Sequence, residues 1–110
     1  MNIETLREYV LQKPNVTEGF PFGPDVIVFK VNDKVFLLVP LDTEQLQFNA
    51  KCDPDHAIEL REQYDAVQPG YHMNKKHWNT VVVDGTIKNN QLLELVDESY
   101  DLVSKKKASK

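Results

Sequence analysis

The sequence of 110 residues contains one cysteine, four glycines and two methionines, and it has no long hydrophobic run. A single cysteine, Cys52, excludes an internal disulfide and agrees with a reducing compartment. No apolar run reaches the roughly 18 residues that a membrane-spanning helix requires, and the N-terminus lacks the charged and then apolar pattern of a signal peptide. We therefore expect a soluble, cytoplasmic protein with no membrane partner.

Catalytic and cofactor motifs are also missing from the sequence. The four glycines are scattered, and they form neither a G-x-x-x-x-G-K-[ST] nor a G-x-G-x-x-G phosphate loop. There is no G-x-S-x-G nucleophile elbow, and the paired carboxylates fall on predicted helix exteriors, where a solvated surface explains them. The sequence therefore predicts no catalytic residues, no cofactor and no enzymatic activity.

The residues that could bind a metal are few and poorly spaced. They are Cys52, His56, His72 and His77. Cys52 precedes the predicted cap of a helix, so we do not expect it to share a helix face with His56. His72 and His77 lie five positions apart, which suits neither a helix face nor a strand face. Because CxxC, HxH and HExxH patterns are absent as well, we expect no metal site.

The distribution of charge argues against a large nucleic-acid interface. Lys and Arg number 13 against 17 Asp and Glu, which gives a net charge of −4. Four lysines lie in the last six positions, and without them the charge of −4 becomes −8. Affinity for phosphate backbones comes largely from Lys and Arg, so a nucleic-acid site in this chain has to be a local patch.

The length suits one domain, since domains commonly contain about 100 to 150 residues. We expect this domain to span residues 1–104 and the basic segment 105–110 to be a disordered tail. Asn2 is placed to cap a first helix from Ile3 to Gln12. The segment from Thr17 to Asp25 is rich in glycine and proline and is predicted to be a loop, with Phe20 and Phe22 holding it against the core.

Residues Val26 to Val39 form the clearest hairpin pattern, with Asn32-Asp33 as a two-residue turn. The expected pairing puts Phe29 opposite Phe36, Ile27 opposite Leu38, Val28 opposite Leu37 and Val26 opposite Val39. Both faces of this hairpin are then apolar, whereas a half-exposed hairpin should alternate apolar with polar residues. The second face must be covered either by helices of this chain or by another copy of the protein.

The rest of the chain alternates helical and extended patterns. A third strand is predicted around Phe48, and a second helix begins at Pro54 with Asp53 as its cap and Ile58 on its buried side. A short extended piece follows between residues 65 and 73, then a strand over residues 79–83. A final helix with one apolar face is predicted from Asn89 to Ser104.

One cluster of basic, aromatic and amide residues is a candidate nucleic-acid site. It comprises Tyr71, His72, Asn74, Lys75, Lys76 and His77, to which Lys51 is added. Lysines bind phosphates, and aromatic rings such as Tyr71 and the neighbouring Trp78 stack on bases. The alternative is structural, with Trp78 in the core and the lysine pair in a solvated turn. Two lysines neutralise only about two phosphates, so binding by this cluster requires further basic groups.

Four stretches of the sequence resemble the MmcQ/YjbR family. They are VTEGFPFGPDVIVFKV from Val16, CDPDHAIELREQY from Cys52, PGYHMNKKHWNTV from Pro69 and VDESYDLV from Val96. The resemblance implies an α+β domain with the order α-β-β-β-α-β-β-α, in which helices cover an antiparallel sheet, similar to secretion-chaperone and CyaY-like shapes.

Members of this family are commonly labelled DNA-binding proteins with a "double wing" motif. The resemblance would place the block from Tyr71 to Trp78 at the base of one wing and the Asn32-Asp33 hairpin at the tip of another. It implies no catalytic residues.

Three hypotheses about function follow. The first is a non-enzymatic DNA-binding domain that uses the basic-aromatic cluster. The second is a protein-interaction module or homodimer that uses the apolar sheet face. The third is a small-ligand or enzymatic site near His72, His77 and Asp84.

Overall fold

The computed structural model describes residues 1–70 and 73–104. These residues form three helices and six strands, in the order α1 (Ile3–Leu11), β1 (Val16–Gly19), β2 (Val26–Val31), β3 (Lys34–Pro40), β4 (Gln47–Lys51), α2 (Pro54–Gln63), β5 (Val67–Pro69), β6 (Trp78–Val82) and α3 (Asn89–Ser104). The predicted tail at 105–110 and the predicted site residues Tyr71 and His72 lie outside the described residues. None of the described helices has the length and apolar character needed to cross a bilayer.

The six strands form one antiparallel sheet in the order β1-β2-β3-β4-β6-β5. All three helices pack on one face of it, where Leu6 of α1, Leu60 of α2 and Val96 of α3 join the same core as Phe29 and Phe48 of the sheet. The predicted α+β class with a helix-covered antiparallel sheet is confirmed. We call the opposite side of the sheet the open face.

The capping residues and the apolar periodicity of the sequence predicted the positions of the helices well. Asn2 accepts a hydrogen bond from the Thr5 amide at 2.9 Å and forms a capping box with it, and Asp53 caps α2 ahead of Pro54. Helix α3 has the predicted bounds. Ile58 was expected on the buried side of α2, but it is 50% exposed, because the helix contacts the core through Ala57 and Leu60 instead.

Strand β1 was not predicted. Val16 pairs with Val31 and Glu18 with Phe29, so β1 is an edge strand beside β2 and adds one strand to the predicted order. The Arg7 guanidinium of α1 forms an ion pair with Glu18, and its Nε donates to Glu18 Oε1 at 2.7 Å. Only four residues long, the strand was obscured in the sequence by the glycines and prolines that follow it.

The aromatic residues after β1 do not hold their loop against the core, contrary to expectation. Phe20 is 50% exposed and Phe22 is 67% exposed. Phe22 instead lies beside the open face, where it contributes to a groove described below. Phe20 and Phe22 therefore do not attach this loop to the core, and Phe22 contributes to the surface of the open face.

The β2–β3 hairpin has the predicted turn but a different register. Asn32 and Asp33 both have positive φ, at 52° and 67°, as a two-residue hairpin turn of type I′ requires. Lys30 pairs with Val35, but Phe29 pairs with Leu37, so Phe36 has no partner across the hairpin and forms a β-bulge.

The bulge changes which residues share a face of the sheet. Beyond it, Ile27 pairs with Val39 on the core side and Val28 pairs with Leu38 on the open face, so the pairings predicted for these residues were wrong by one position. Phe36 and Leu37 are both fully buried, because the extra residue lets two successive side chains enter the core.

Ser99 of α3 occupies a gap between two strands next to this bulge. Strands β3 and β4 pair at Leu37 with Ala50 and at Leu38 with Asn49, so Phe36 and Lys51 are the next positions in line. The hydroxyl of Ser99 accepts a hydrogen bond from the Lys51 amide at 2.8 Å and donates one to the Phe36 carbonyl at 2.5 Å. A helix side chain thus replaces the direct bond between the strands.

We predict that Ser99→Ala destabilises the protein by about 2 kcal/mol, because it leaves a part-buried amide and a buried carbonyl without their partner. Urea denaturation measures the change. Ser104→Ala, at the end of the same helix, is the control and should change stability by no more than about 0.5 kcal/mol. Equal stability of the Ser99 variant and the wild type would show that the strands close the gap on their own.

Candidate functional site

The described part of the predicted basic-aromatic cluster lies in a tight turn that leads into β6. The carbonyl of Asn74 accepts hydrogen bonds from the amides of His77 at 3.2 Å and Trp78 at 3.0 Å, and its side chain accepts from the Lys76 amide at 2.9 Å. The sequence favours a single helical turn from Asn74 to His77, and the structure has a hydrogen-bonded turn there. Lys75 and Lys76 are exposed on it.

Helix α2 holds this turn in place. Arg61 donates from Nη2 to the Lys75 carbonyl at 2.6 Å and from Nε to Asn79 Oδ1 at 2.9 Å. On the other side, Gly70 approaches Trp78 so closely that a Cβ on Gly70 would lie 2.9 Å from Trp78 Cβ. The turn is therefore tied to the sheet, and position 70 has no room for a side chain.

Lys51 lies next to this turn. It pairs with Trp78 across β4 and β6, and the following residue, Cys52, donates its amide to the His77 carbonyl at 2.7 Å. The structure therefore brings Lys51, at the end of β4, close to the turn before β6 that carries Lys75 and Lys76. Three lysines neutralise about three phosphates, which is a small footprint for a nucleic-acid interface.

A groove of about 660 Å³ crosses the open face. We call it the open-face groove, and it is lined by Phe22, Val26, Val35, Leu38, Pro40, Asp42, Thr43, Gln47, Asn49, Met73 and Trp78. The sequence predicted an apolar second face of the hairpin made of Val26, Val28, Leu37 and Val39. Of these residues Val26 lines the groove, and Leu38 lines it in place of Leu37 because the bulge shifts the register. Phe22 and Met73 were not predicted to join this face, because both lie in connecting segments.

The floor of the groove carries a fixed polar group. Thr80 donates a hydrogen bond from its hydroxyl to Asn49 Oδ1, and the two residues are only 6% and 8% exposed. The alternation of Phe48 and Ala50 with polar residues predicts a solvated face of this strand that includes Asn49, but Asn49 is buried. Its side chain is oriented by Thr80, so the groove offers a polar contact in a defined position within apolar walls.

A second cluster lies on the helix-covered side. Cys52 Sγ is 3.5 Å from His56 Nδ1 and 3.3 Å from Glu98 Oε2, and His56 Nδ1 is 2.8 Å from Glu98 Oε1. The expectation that Cys52 and His56 would not converge was wrong, because the backbone turns at Asp53 and brings the thiol back over the first turn of α2. Glu98 arrives from α3, 46 positions after Cys52, which local spacing does not reveal.

The geometry of this second cluster differs from that of an activated cysteine nucleophile. Burial and the nearby Glu98 carboxylate raise the pKa of Cys52 to about 12, so the thiol stays protonated near neutral pH. In a catalytic triad the histidine contacts the nucleophile through one ring nitrogen and the carboxylate through the other. Here Nδ1 of His56 contacts both groups, so the ring has no path to relay a proton between them.

The third hypothesis, a site near His72, His77 and Asp84, has little support in the described residues. His72 is outside them. Asp84 is exposed, and hydrogen bonds from the hydroxyl and amide of Thr86 lower the pKa of its carboxyl. Asp84 thus closes a turn with Thr86.

Comparison with known proteins places this chain among bacterial relatives. The model of the YjbR family matches residues 11–102. The chain is 37% identical to the uncharacterized protein YbdF of Escherichia coli O157:H7 over 91% of this chain and 82% of that protein. It is 34% identical to the uncharacterized protein YjbR of Escherichia coli K12, over 91% of this chain and 85% of that one.

Solved structures show the same fold. A crystal structure of the Deinococcus radiodurans protein DR2400 matches with a TM-score of 0.92 and 38% identity, covering 99% of this chain and 83% of that one. A crystal structure of a Pseudomonas syringae protein matches with a TM-score of 0.81 and 27% identity, covering 94% and 99% of the two chains.

We predict that Cys52 reacts slowly with a disulfide reagent such as DTNB at pH 8 in the presence of EDTA. A rise in the thiol pKa from 9.0 to about 12 leaves about 1,000-fold fewer thiolates. Glu98→Gln should speed the reaction, since it removes a neighbouring negative charge. Urea-unfolded protein is the reference, and a folded protein that reacts as fast would contradict the raised pKa.

The same pKa shift affects stability. The folded protein holds the thiol proton more tightly than the unfolded chain does. The contribution of the protonated thiol to the free energy of unfolding is therefore fully present below about pH 9 and is lost as the pH rises toward 12. Cys52→Ser, whose hydroxyl does not titrate there, should lose less stability than the wild type over that interval in urea titrations. Parallel pH profiles would contradict this.

Proposed function

The chain belongs to the YjbR family, and we propose that it is a non-enzymatic binding domain that takes an apolar segment of a partner protein into the open-face groove. The observation that carries the proposal is the groove itself, about 660 Å³ with mostly apolar walls. Ligand-binding clefts commonly measure about 300 to 1,000 Å³ and combine apolar walls with a few placed polar groups. The oriented Asn49 side chain supplies such a polar group.

The residue types in the groove are those that protein interfaces favour. Trp78, Phe22 and Met73 belong to the types enriched where proteins bind one another, and aromatic anchors commonly carry most of the binding energy. Phe22 is 67% exposed, and the side chains of Leu38 and Trp78 are only partly buried. An exposed apolar surface of this kind typically marks an interaction site.

The charge of the chain favours a protein occupant over a nucleic acid. The net charge is −4, and Asp42 lies among the groove residues. A carboxylate beside the groove repels phosphate, whereas an apolar peptide segment is unaffected by it and gains from a basic residue at its end. We therefore expect the occupant to be an apolar segment with a neighbouring Lys or Arg.

A second candidate function is DNA binding by the basic-aromatic cluster. The observation that favours it is the adjacency of Lys51 to the turn that carries Lys75 and Lys76. In this proposal the three lysines contact phosphates, with Asn74 and His77 beside them. The sequence-predicted Tyr71 and His72 belong to the same proposal but lie outside the described residues. The small number of cations limits the affinity.

We predict that peptides selected from a random displayed library on this protein shift the fluorescence of Trp78, which is the only tryptophan in the chain. Leu38→Asp should weaken their binding about 30-fold or more, since loss of a central apolar contact costs about 2 kcal/mol or more. Leu38 is a suitable position, because Val28 on the same face is 1% exposed and a charge there would unfold the protein.

Ile58→Asp is the matched control, because Ile58 is an exposed apolar residue on α2, outside the groove. It should bind the selected peptides like the wild type. Sedimentation at increasing concentration tests whether a second copy fills the groove. Failure to select any peptide that shifts Trp78 emission, or equal binding by a folded Leu38→Asp protein, would overturn the proposal.

For the DNA candidate, we predict weak binding of a labelled random duplex that falls steeply with salt, measured by fluorescence anisotropy. Lys76→Ala should lower the affinity and reduce the salt dependence by about one phosphate contact. Lys88→Ala removes an equally exposed lysine outside the cluster and should have a smaller effect. Absence of binding at low salt would eliminate this candidate.

A further inference from the structure

The cluster of Cys52, His56 and Glu98 combines three different metal-binding groups at one point. Their ligand atoms all lie within 4.8 Å of one another. Three separate segments supply them, namely the residue after β4, the first turn of α2 and the middle of α3. Sulfur, imidazole and carboxylate together are typical ligands of zinc and its relatives, whereas calcium and magnesium prefer oxygen alone.

The spacing of these atoms fits a tetrahedral ion. Ligands bound at about 2.0 to 2.3 Å from a tetrahedral zinc lie about 3.3 to 3.8 Å from one another. The distances from Cys52 Sγ to His56 Nδ1 and to Glu98 Oε2 are 3.5 and 3.3 Å. His56 Nδ1 is 2.8 Å from the other carboxylate oxygen, Glu98 Oε1, so the carboxylate lies between the thiol and the imidazole and would turn to present one oxygen to an ion.

The surroundings hold the three groups in position. The Asp53 amide donates to Glu98 Oε2 at 3.3 Å, and the Asp53 side chain accepts from the His56 amide at 3.3 Å. Such outer contacts orient the ligands of metal sites. Asp53 and Glu98 also add negative charge, which favours a cation.

A cavity of about 360 Å³ adjoins the cluster and gives access to it. His56 and Glu98 line this cavity together with Glu94, Gln91, Gln63 and Tyr64. Cys52 is buried at 5% exposure and forms the closed side. An ion held by the three ligands would thus have its fourth coordination position toward the cavity, the open arrangement that distinguishes reactive zinc sites from structural ones.

We propose that Cys52, His56 and Glu98 bind one divalent cation of the zinc class, with a fourth position open to the adjoining cavity for water or a small anionic ligand. This site lies on the helix-covered side of the sheet and does not rest on the open-face groove. On binding, the Cys52 thiol releases its proton to solvent and becomes a thiolate ligand.

Cobalt is the probe for the test, because Co²⁺ takes the same ligands as zinc and reports them in its spectrum. Titration of the full, metal-free chain with Co²⁺ should produce a saturable thiolate-to-cobalt charge-transfer band and the visible bands of a tetrahedral ion. Zn²⁺ should remove both bands at one equivalent. Zn²⁺ should also raise the thermal midpoint, since an ion that binds only the folded state stabilises it.

Cys52→Ser and Glu98→Gln test the ligands. Each should weaken Co²⁺ binding by at least about 100-fold, since loss of even an outer contact costs about 10- to 100-fold. Glu94→Gln removes a carboxylate from the same cavity and the same helix, outside the cluster, and should bind like the wild type. Circular dichroism of each metal-free variant checks that it is folded.

The proposal is overturned if the folded wild type shows no cobalt–thiolate band at any Co²⁺ concentration tested. It is also overturned if folded Glu98→Gln binds as tightly as the wild type. Either result would show that the three groups form only a hydrogen-bonded junction between α2 and α3.

Discussion

The structure depends on one hydroxyl group, that of Ser99, which enters the sheet between β3 and β4. It takes the place of a direct bond between Phe36 and Lys51, and so it supports the bulge and ties α3 to the sheet. The neighbouring residue, Glu98, then meets Cys52 immediately after β4. A single helix-to-strand junction thus contacts both the bulge of the hairpin and the second cluster.

The sequence predicted those features of the fold that depend on interactions between residues close together in the chain. Caps, proline positions and apolar periodicity gave the class of the fold and all three helices, because these signals act within a few residues. The bulge at Phe36 could not be predicted, since it is supported by Ser99, 63 positions later in the chain. The convergence of Cys52 with Glu98 escaped prediction for the same reason. An apolar second face of the hairpin was predicted from the sequence, but Phe22 and Met73, which also line the groove, lie in connecting segments whose position the sequence does not indicate.

The two faces of the sheet carry different chemistry. On the helix side, a thiol, an imidazole and a carboxylate meet between the first turn of α2 and the middle of α3, beside a small cavity. On the open face, apolar side chains remain beside one oriented amide. The core lies between the two faces, so substitutions of Leu38 and of Glu98 act on separate surfaces. Their effects on the free energy of unfolding should therefore be additive.

The two edge strands affect how readily the sheet can join the sheet of another molecule side by side. Strand β5 has three residues and ends at Pro69, which has no amide hydrogen, and β1 has four residues with a charged Glu18 engaged by Arg7. Short, charged or proline-terminated edges discourage sheets from joining side by side. The fold can therefore expose an apolar sheet face while its edges resist the side-by-side joining of sheets into fibrils.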